Sequence, residues 1–280
     1  MRIFYIIIPV YNDWKSFNTL IKKIDKNIKN IKGNFKILAI NDASTSRVFI
    51  NKKNIDYIRS IKILNLKENC GSQKAIFLGL KYIKLKAKKS TVMIMDTDGE
   101  DDPQKIIKLI QSVKKNNDFI TVAKRSKRKE SFFLRSINYL RLFINFILTD
   151  NFINFGNFSA FDGKILKPIL SNNNLWLAYS GGILKNYPKL RYINIDKKKR
   201  YFGFSKVSFK FLLLHSLNIL SIFHKKILLR SAILIFLMLV IFKINILLLF
   251  IIVSIIFLNI VFCLKCYFGL RENKKNLVKI

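Results

Sequence analysis

The stretch VMIMDTDGEDDP, residues 92–103, closes an apolar run with the densest acidity of a basic chain. The formal net charge is +35, yet five of the sixteen acidic residues fall here: Asp96, Asp98, Glu100, Asp101 and Asp102. Asp96 and Asp98 stand two apart, a spacing at which an extended chain points both side chains the same way. Two carboxylates converging where a strand ends, with room left for water, suit Mg2+ or Mn2+. Such an ion is typically shared with substrate phosphates, and it neutralises charge developing on a departing nucleoside diphosphate. The remaining acids have a second use. Asp and Glu ahead of Pro103 suit a helix start, with Asp101 or Asp102 as its cap.

The elements that must position these acids follow from hydrophobic periodicity. Continuous apolar runs ending in polar residues read as buried parallel strands at 3–10, 35–42, 61–67, 91–96 and 119–125. Helical spacing fills 14–31, 73–83 and 103–113 between them. Strands alternating with helices make βαβ units, hence an α/β fold with a Rossmann-like, mostly parallel sheet covered by helices on both faces. Four of the strands end in polar tips: Tyr11-Asn12-Asp13, Asn41-Asp42, Glu68-Asn69 and Asp96-Thr97-Asp98. Ligands of such sheets bind beyond the C-terminal strand ends, so these tips line one rim.

The last third differs in kind. Residues 227–242 and 244–267 are apolar runs broken only by Arg230, Lys243, Asn245, Asn259 and Lys265. The second is long enough to span a bilayer, and Arg230 can extend the first by snorkelling. Joined near Lys243, they read as a transmembrane helical hairpin. Positive charge at 224–226 and 271–279 against a single Lys243 in the turn puts both ends in the cytoplasm. Segments 207–223 and 131–148 read as interfacial helices, apolar side down, with packing in a core as the alternative. The expected organisation is a catalytic domain at 1–204, an interfacial helix at 205–226, two transmembrane helices at 227–267 and a basic cytoplasmic tail at 268–280.

Bulk composition excludes other classes. Lysines are scattered over nearly every element rather than clustered among aromatics, which argues against nucleic acid and fits compositional bias together with an anionic membrane face. Three cysteines make no disulfide framework, and the lone pair Cys263 and Cys266 has no second pair or histidine to complete a metal site. His215 and His224 have no acid or cysteine at ligand spacing and read as structural or lipid-proximal.

Six segments in order resemble the motifs of family 2 glycosyltransferases with the GT-A fold, of the membrane-associated kind similar to dolichol- or polyprenyl-phosphate sugar synthases. IIIPVYND (6–13) resembles the opening nucleotide loop, and AINDAST (39–45) resembles DDxS. LKENCGSQKAIFLGL (66–80) is similar to N-x-G-x-x-x-A-x-x-x-G, and MDTDGEDDP (95–103) to MDxDxxDxP. FGNFSAF (155–161) resembles the acceptor-side segment and RYFGFSKVS (200–208) the R-x-x-G-x-S-K loop. The resemblance implies an inverting transferase with Pro9, Tyr11, Asp13, Asp42, Gly71, Asp96, Thr97 and Asp98 around a nucleotide-sugar donor. It further implies Mg2+ or Mn2+ on Asp96 and Asp98, and catalytic roles for Asp96, Asp98, Asp101, Arg200 and Lys206. Arg200 and Lys206 would bring positive charge to the diphosphate or to a phosphate acceptor. The implied location is the inner (cytoplasmic) membrane, multi-pass, with the catalytic domain facing the cytoplasm and a place in cell-envelope glycan assembly.

Two departures from the pattern bear on chemistry. Asn41 replaces the first acid of DDxS, and FGNFSAF offers Asn157 where many inverting relatives keep a carboxylate base. A hydroxyl acceptor needs that base, because its proton leaves as the bond forms; a phosphate acceptor arrives ionised. The pattern therefore favours a lipid-phosphate acceptor, with Asp150 or Asp162 as the candidate bases for a hydroxyl. Competing readings are a non-catalytic membrane-bound partner in a glycan-assembly complex and a transferase acting on a hydroxyl. A nucleotidyltransferase lacks its glycine-rich loop after the first strand. Nothing in the pattern selects the sugar, the base or an oligomeric state.

Overall fold

A computed structural model describes residues 1–125, 132–203, 209–242, 244–272 and 278. These divide into two compact units. One takes the described residues within 1–129 and 154–206 together with Val278; the other takes those within 130–153 and 207–274.

The first unit is built on a seven-stranded mixed sheet. Its strands are β1 (Ile3–Val10), β2 (Asn34–Asn41), β3 (Ile58–Asn65), β4 (Ser90–Ile94), β5 (Ile120–Arg125), β6 (Phe155–Asp162) and β7 (Leu190–Ile195), in the order β3-β2-β1-β4-β6-β5-β7. β1, β2, β3 and β4 run parallel, as do β5 and β7, while β6 is antiparallel to both its neighbours. The five strands read from apolar runs are all present. β6 and β7 were not legible that way, because Gly156 and Asn157 interrupt the start of β6 and β7 mixes exposed with half-buried residues.

Helices cover both faces. α1 (Trp14–Ile28) and α3 (Ile106–Lys115) pack together against the face bearing Phe4, Ile6, Ile8 and Val10. α1 buries Trp14, Phe17, Leu20, Ile21, Ile24 and Ile28 at helical spacing, with its lysines turned outward. Its buried Asp25 is satisfied by the backbone N–H groups of Asp56, Tyr57 and Ile58 at 2.8–3.0 Å, which fixes the entry to β3. On the other face lies α2 (Ser72–Ile83), brought close by Gly79: a Cβ there would stand 2.8 Å from Ile40 and 3.0 Å from Ile7. Short helices α5 (Leu166–Ile169), α6 (Asn174–Leu177) and α7 (Tyr179–Asn186) follow β6, and α6 and α7 pack on α2.

The second unit is helical: α4 (Phe132–Thr149), α8 (Phe209–Ile222), α9 (His224–Ile241) and α10 (Ile246–Glu272). Thus α4 groups with the C-terminal helices, whereas the expected catalytic domain at 1–204 included its residues. Leu220, Ile227 and Phe262 form a small core with Leu148 and Leu217. Arg230 of α9 has partners inside this unit. It pairs with Asp150 and with the carbonyl of Ile147 at the end of α4, and Lys226 joins Asp150 at 3.3 Å. Among the described residues one helix, α10, is long and apolar enough to cross a membrane.

Candidate active site

Because β1, β2, β3 and β4 are parallel, their C-terminal tips share one rim, and the antiparallel β6 brings its N-terminal residues to the same rim. Asp96 and Asp98 leave β4 in the loop that ends at Pro103. The β1 tip is clasped to the β2 tip by Asn12, held at φ +51, whose Oδ1 accepts from the backbone of Thr45 (2.8 Å) and Ser46 (2.9 Å). Thr97 is buried and its hydroxyl donates to the carbonyl of Pro9, so the β1 and β4 tips are also joined. Tyr11 is exposed on this rim, and the carbonyl of Asp13 accepts from the N–H of Phe17 in the first turn of α1.

At the first departure from the DDxS pattern, Asn41 donates through Nδ2 to Asn65 Oδ1 (2.9 Å) and accepts from the Ser44 N–H (3.0 Å), which joins the β2 tip to β3. Asp42 is 2% exposed, and its two oxygens accept the N–H groups of Cys70 (2.8 Å) and Gly71 (2.9 Å). It therefore anchors the loop that leads into α2. Gly71 sits at φ +85 with open space where a side chain would stand, as a backbone meant for close approach requires.

The acidic loop is clasped by the basic segment after β7. Arg200 Nη1 lies 2.9 Å from Asp98 Oδ2, Lys197 reaches Glu100 at 2.5 Å, and Lys198 stands 3.6 Å from Asp102. Backbone bonds from Lys198 to Glu100 and from Tyr201 to Asp98, both 2.9 Å, lay the two segments side by side. Gly99, at φ +85, leaves its Cβ position to the Tyr201 ring. Of the two candidate caps, Asp102 takes the helix start by accepting from the Gln104 N–H (3.0 Å), whereas Asp101 accepts from the Asp96 N–H (3.1 Å). Much of the acidity is thus an internal ion-pair network. The signal was present in the sequence as the complementary run Lys197-Lys198-Lys199-Arg200.

Asp98 remains the chemically exceptional acid. Burial holds its carboxyl above the usual carboxylate range, although the Glu100 N–H and the Arg200 guanidinium act in the opposite direction. Beside it, Arg200 Nε and the Tyr201 hydroxyl are buried with no hydrogen-bond partner among the described residues. Burial, with Asp102, Asp98 and Asp101 nearby, pushes that hydroxyl up to about 12. A buried acid paired with Arg200 beside these spare donors fits a cation and an oxyanion arriving together. Among the described residues no three His, Cys, Asp or Glu side chains converge, so there is no all-protein cage. One or two carboxylates are what Mg2+ uses when phosphates and water complete its shell.

At the β6 end of the rim Asn157 donates to Asp96 Oδ1 (3.0 Å) and accepts from Gln73 Nε2 (3.1 Å). A small cavity opens beside it, lined by Glu100, Asp101, Phe158, Ile195, Asp196 and Lys197 among others. Asp162 lies at the other end of β6, about 16 Å along the strand, ion-paired with Arg2 at 2.7 Å. Asp150 is held by Lys226 and Arg230 in the helical unit. Lys206 lies outside the described residues.

The glycosyl transferase family 2 model matches residues 5–170, more than half of the chain and the whole of this rim up to β6. The chain belongs to glycosyl transferase family 2. Among curated family relatives, an uncharacterised glycosyltransferase of Bacillus subtilis, YkcC, is 25% identical over 57% of this chain and 49% of its own length. Dodecaprenyl-phosphate galacturonate synthase of Rhizobium johnstonii is 23% identical over 48% of this chain and 41% of its own. The match thus spans less than half the length of either relative. In fold, the chain resembles glucosyl-3-phosphoglycerate synthase from Mycobacterium tuberculosis, solved with Mn2+, UDP-glucose and phosphoglyceric acid. That likeness has a TM-score of 0.54 at 10% identity and covers 81% of this chain and 80% of the other. The family 2 motifs account for Asp42, Asp96 and Asp98. They did not single out Gln73 or Asn12, because amide bonding partners leave no periodic or charge signal in a single chain.

Proposed function

We propose that this chain is a membrane-associated, inverting glycosyltransferase that moves a sugar from a nucleotide-sugar donor to a polyprenyl phosphate at a membrane surface. The observation that carries the reading is the pairing of Asp98 with Arg200 at the β4 rim, with Arg200 Nε and the Tyr201 hydroxyl spare beside it. In this reading Asp96 and Asp98 hold Mg2+ or Mn2+ on the donor diphosphate, and the ion's charge stabilises the leaving group. Arg200, and Lys206 of the same motif, address the diphosphate or the acceptor phosphate. Pro9, Tyr11, Asp13, Asp42, Gly71 and Thr97 shape the nucleotide side, Asp42 by holding the loop at Gly71.

Proton accounting favours one acceptor class. Asn157 cannot accept a proton at neutral pH and Asp162 is remote from the rim, which favours an acceptor oxygen that arrives already ionised. A phosphate does, and the Rhizobium relative named for a dodecaprenyl phosphate supports that chemistry. The exposed apolar surface of α9 and α10, with Phe236, Val240, Ile246 and Phe250 bare, supports a lipid surrounding. We read α9 and α10 as a membrane hairpin with both ends and the sheet unit in the cytoplasm. In α9 the cost of Arg230 is offset by Asp150.

The test uses detergent-solubilised protein with Mn2+, radiolabelled UDP-, GDP- and dTDP-sugars, and undecaprenyl phosphate. Label entering the organic phase with wild type and absent with Asp98→Ala is the expected result. Metal-dependent donor binding without any turnover would instead favour a non-catalytic partner.

A further inference from the structure

We propose that Gln73 and Asn157 form a polarised amide relay that positions Asp96, making Gln73 a positioning residue for a site whose ligands it does not touch. The inference rests on the reading above, in which Asp96 serves the donor diphosphate.

The relay starts at a backbone group. The N–H of Tyr179, at the start of α7, donates to Gln73 Oε1 at 2.7 Å. A backbone N–H can only donate, so the atom of Gln73 facing it must be the oxygen, and the amide NH2 of Gln73 must face the other way. There it meets Asn157 at 3.1 Å, which forces the Asn157 oxygen toward Gln73 and the Asn157 NH2 toward Asp96, 3.0 Å away. Every orientation is therefore dictated from one end. The last member presents a donor to a carboxylate, the stronger kind of hydrogen bond. Asp96 is also held by its own N–H through Asp101, so backbone and side chain are fixed from two sides.

The anchor is itself rigid. Tyr179 is fully buried, and its hydroxyl shares a 2.6 Å bond with Ser159, whose hydroxyl donates to the Asn157 carbonyl at 2.9 Å. Side chain and main chain of Asn157 thus both trace back to Tyr179. Helix α2 supplies Gln73, α7 supplies the anchor and β6 supplies Asn157, so three elements converge on one carboxylate.

Polarity gives a test that packing alone would not pass. Gln73→Glu keeps size and keeps an oxygen for Tyr179, but its second oxygen turns the Asn157 amide around and points a carbonyl at Asp96. Gln73→Met also keeps size, loses both bonds and leaves Asn157 free to keep its NH2 on Asp96. The relay therefore predicts an order opposite to simple bond counting. Mn2+-dependent binding of UDP, GDP and dTDP would be measured by calorimetry for full-length solubilised protein, together with kcat and KM in the transfer assay.

For whichever nucleotide wild type binds, Gln73→Glu weakens binding and lowers kcat by about tenfold or more, while Gln73→Met stays within about threefold. Asn157→Leu, which has no donor to offer, falls with Gln73→Glu and provides the second arm if Gln73→Glu does not fold. Equal effects of Glu and Met at 73, or unchanged binding in Asn157→Leu, overturn the relay and leave the proposed function standing. Wild type that binds none of the three nucleotides overturns the proposed function and the relay with it.

Discussion

Asp98 shows how the charge of this chain is used. Burial holds its carboxyl above the usual range, and it faces Arg200 across 2.9 Å. For an acid raised in the folded state, stability declines as pH rises from the unfolded pKa through the folded one, so its ionised form is a cost at neutral pH. Asp98→Asn removes that cost and also leaves Arg200 without its partner. These effects oppose each other, and we predict a melting temperature within about 5 °C of wild type. Turnover should nevertheless fall by about a hundredfold or more, as expected where charge develops in the transition state. Asp42 should behave in the reverse way. Its two oxygens satisfy buried N–H groups, so Asp42→Ala is predicted to cost about 3 kcal/mol in denaturant unfolding as well as donor binding. Asp96, Asp98 and Asp42 were legible as types at spacings. Their division of labour was not, because spacing does not say which oxygen meets a backbone N–H.

The elements carry the site because parallel strands put successive tips on one rim, and that much followed from continuous apolar runs such as 3–10 and 91–96. The reversed strand β6 could not be read this way, yet it delivers Asn157 to Asp96 and carries Asp162 to the far end. Motif glycines also act at this scale. Gly79 lets α2 lie on Ile7 and Ile40, and any side chain there overfills the interface. Alanine gains about 1 kcal/mol in helix propensity but meets an overpacking penalty of about 1–3 kcal/mol. Gly79→Ala is thus predicted to lose about 1 kcal/mol net, and Gly79→Val two to three times as much, by thermal melting of the solubilised protein. Segments 207–223 and 227–242 were expected as helices, and α8 and α9 fill their described parts. The Asp150 partner of Arg230 was not foreseen, since nothing local in the sequence links a helix end at 149 to a helix 75 residues later.

For the whole molecule the governing contrast is between a basic sheet unit and a helical unit whose surface is largely apolar. Lysine on nearly every element was plain in the composition, and so was the apolar character of the last third. The grouping of α4 with the C-terminal helices was not, because an apolar amphipathic segment reads alike as core or as interface. The hairpin topology is testable in intact cells. In a cysteine-free background, Asn245→Cys should react with a membrane-impermeant maleimide from outside, and a cysteine at Lys88 should react only after permeabilisation. Labelling of both positions, or of neither, in intact cells would refute that topology. The most direct test of the account compares undecaprenyl phosphate with undecaprenol as acceptors, with Mn2+ and the donor that wild type turns over. With Asn157 where a base would stand, transfer to the phosphate and none to the alcohol is predicted; transfer to the alcohol and none to the phosphate would contradict it.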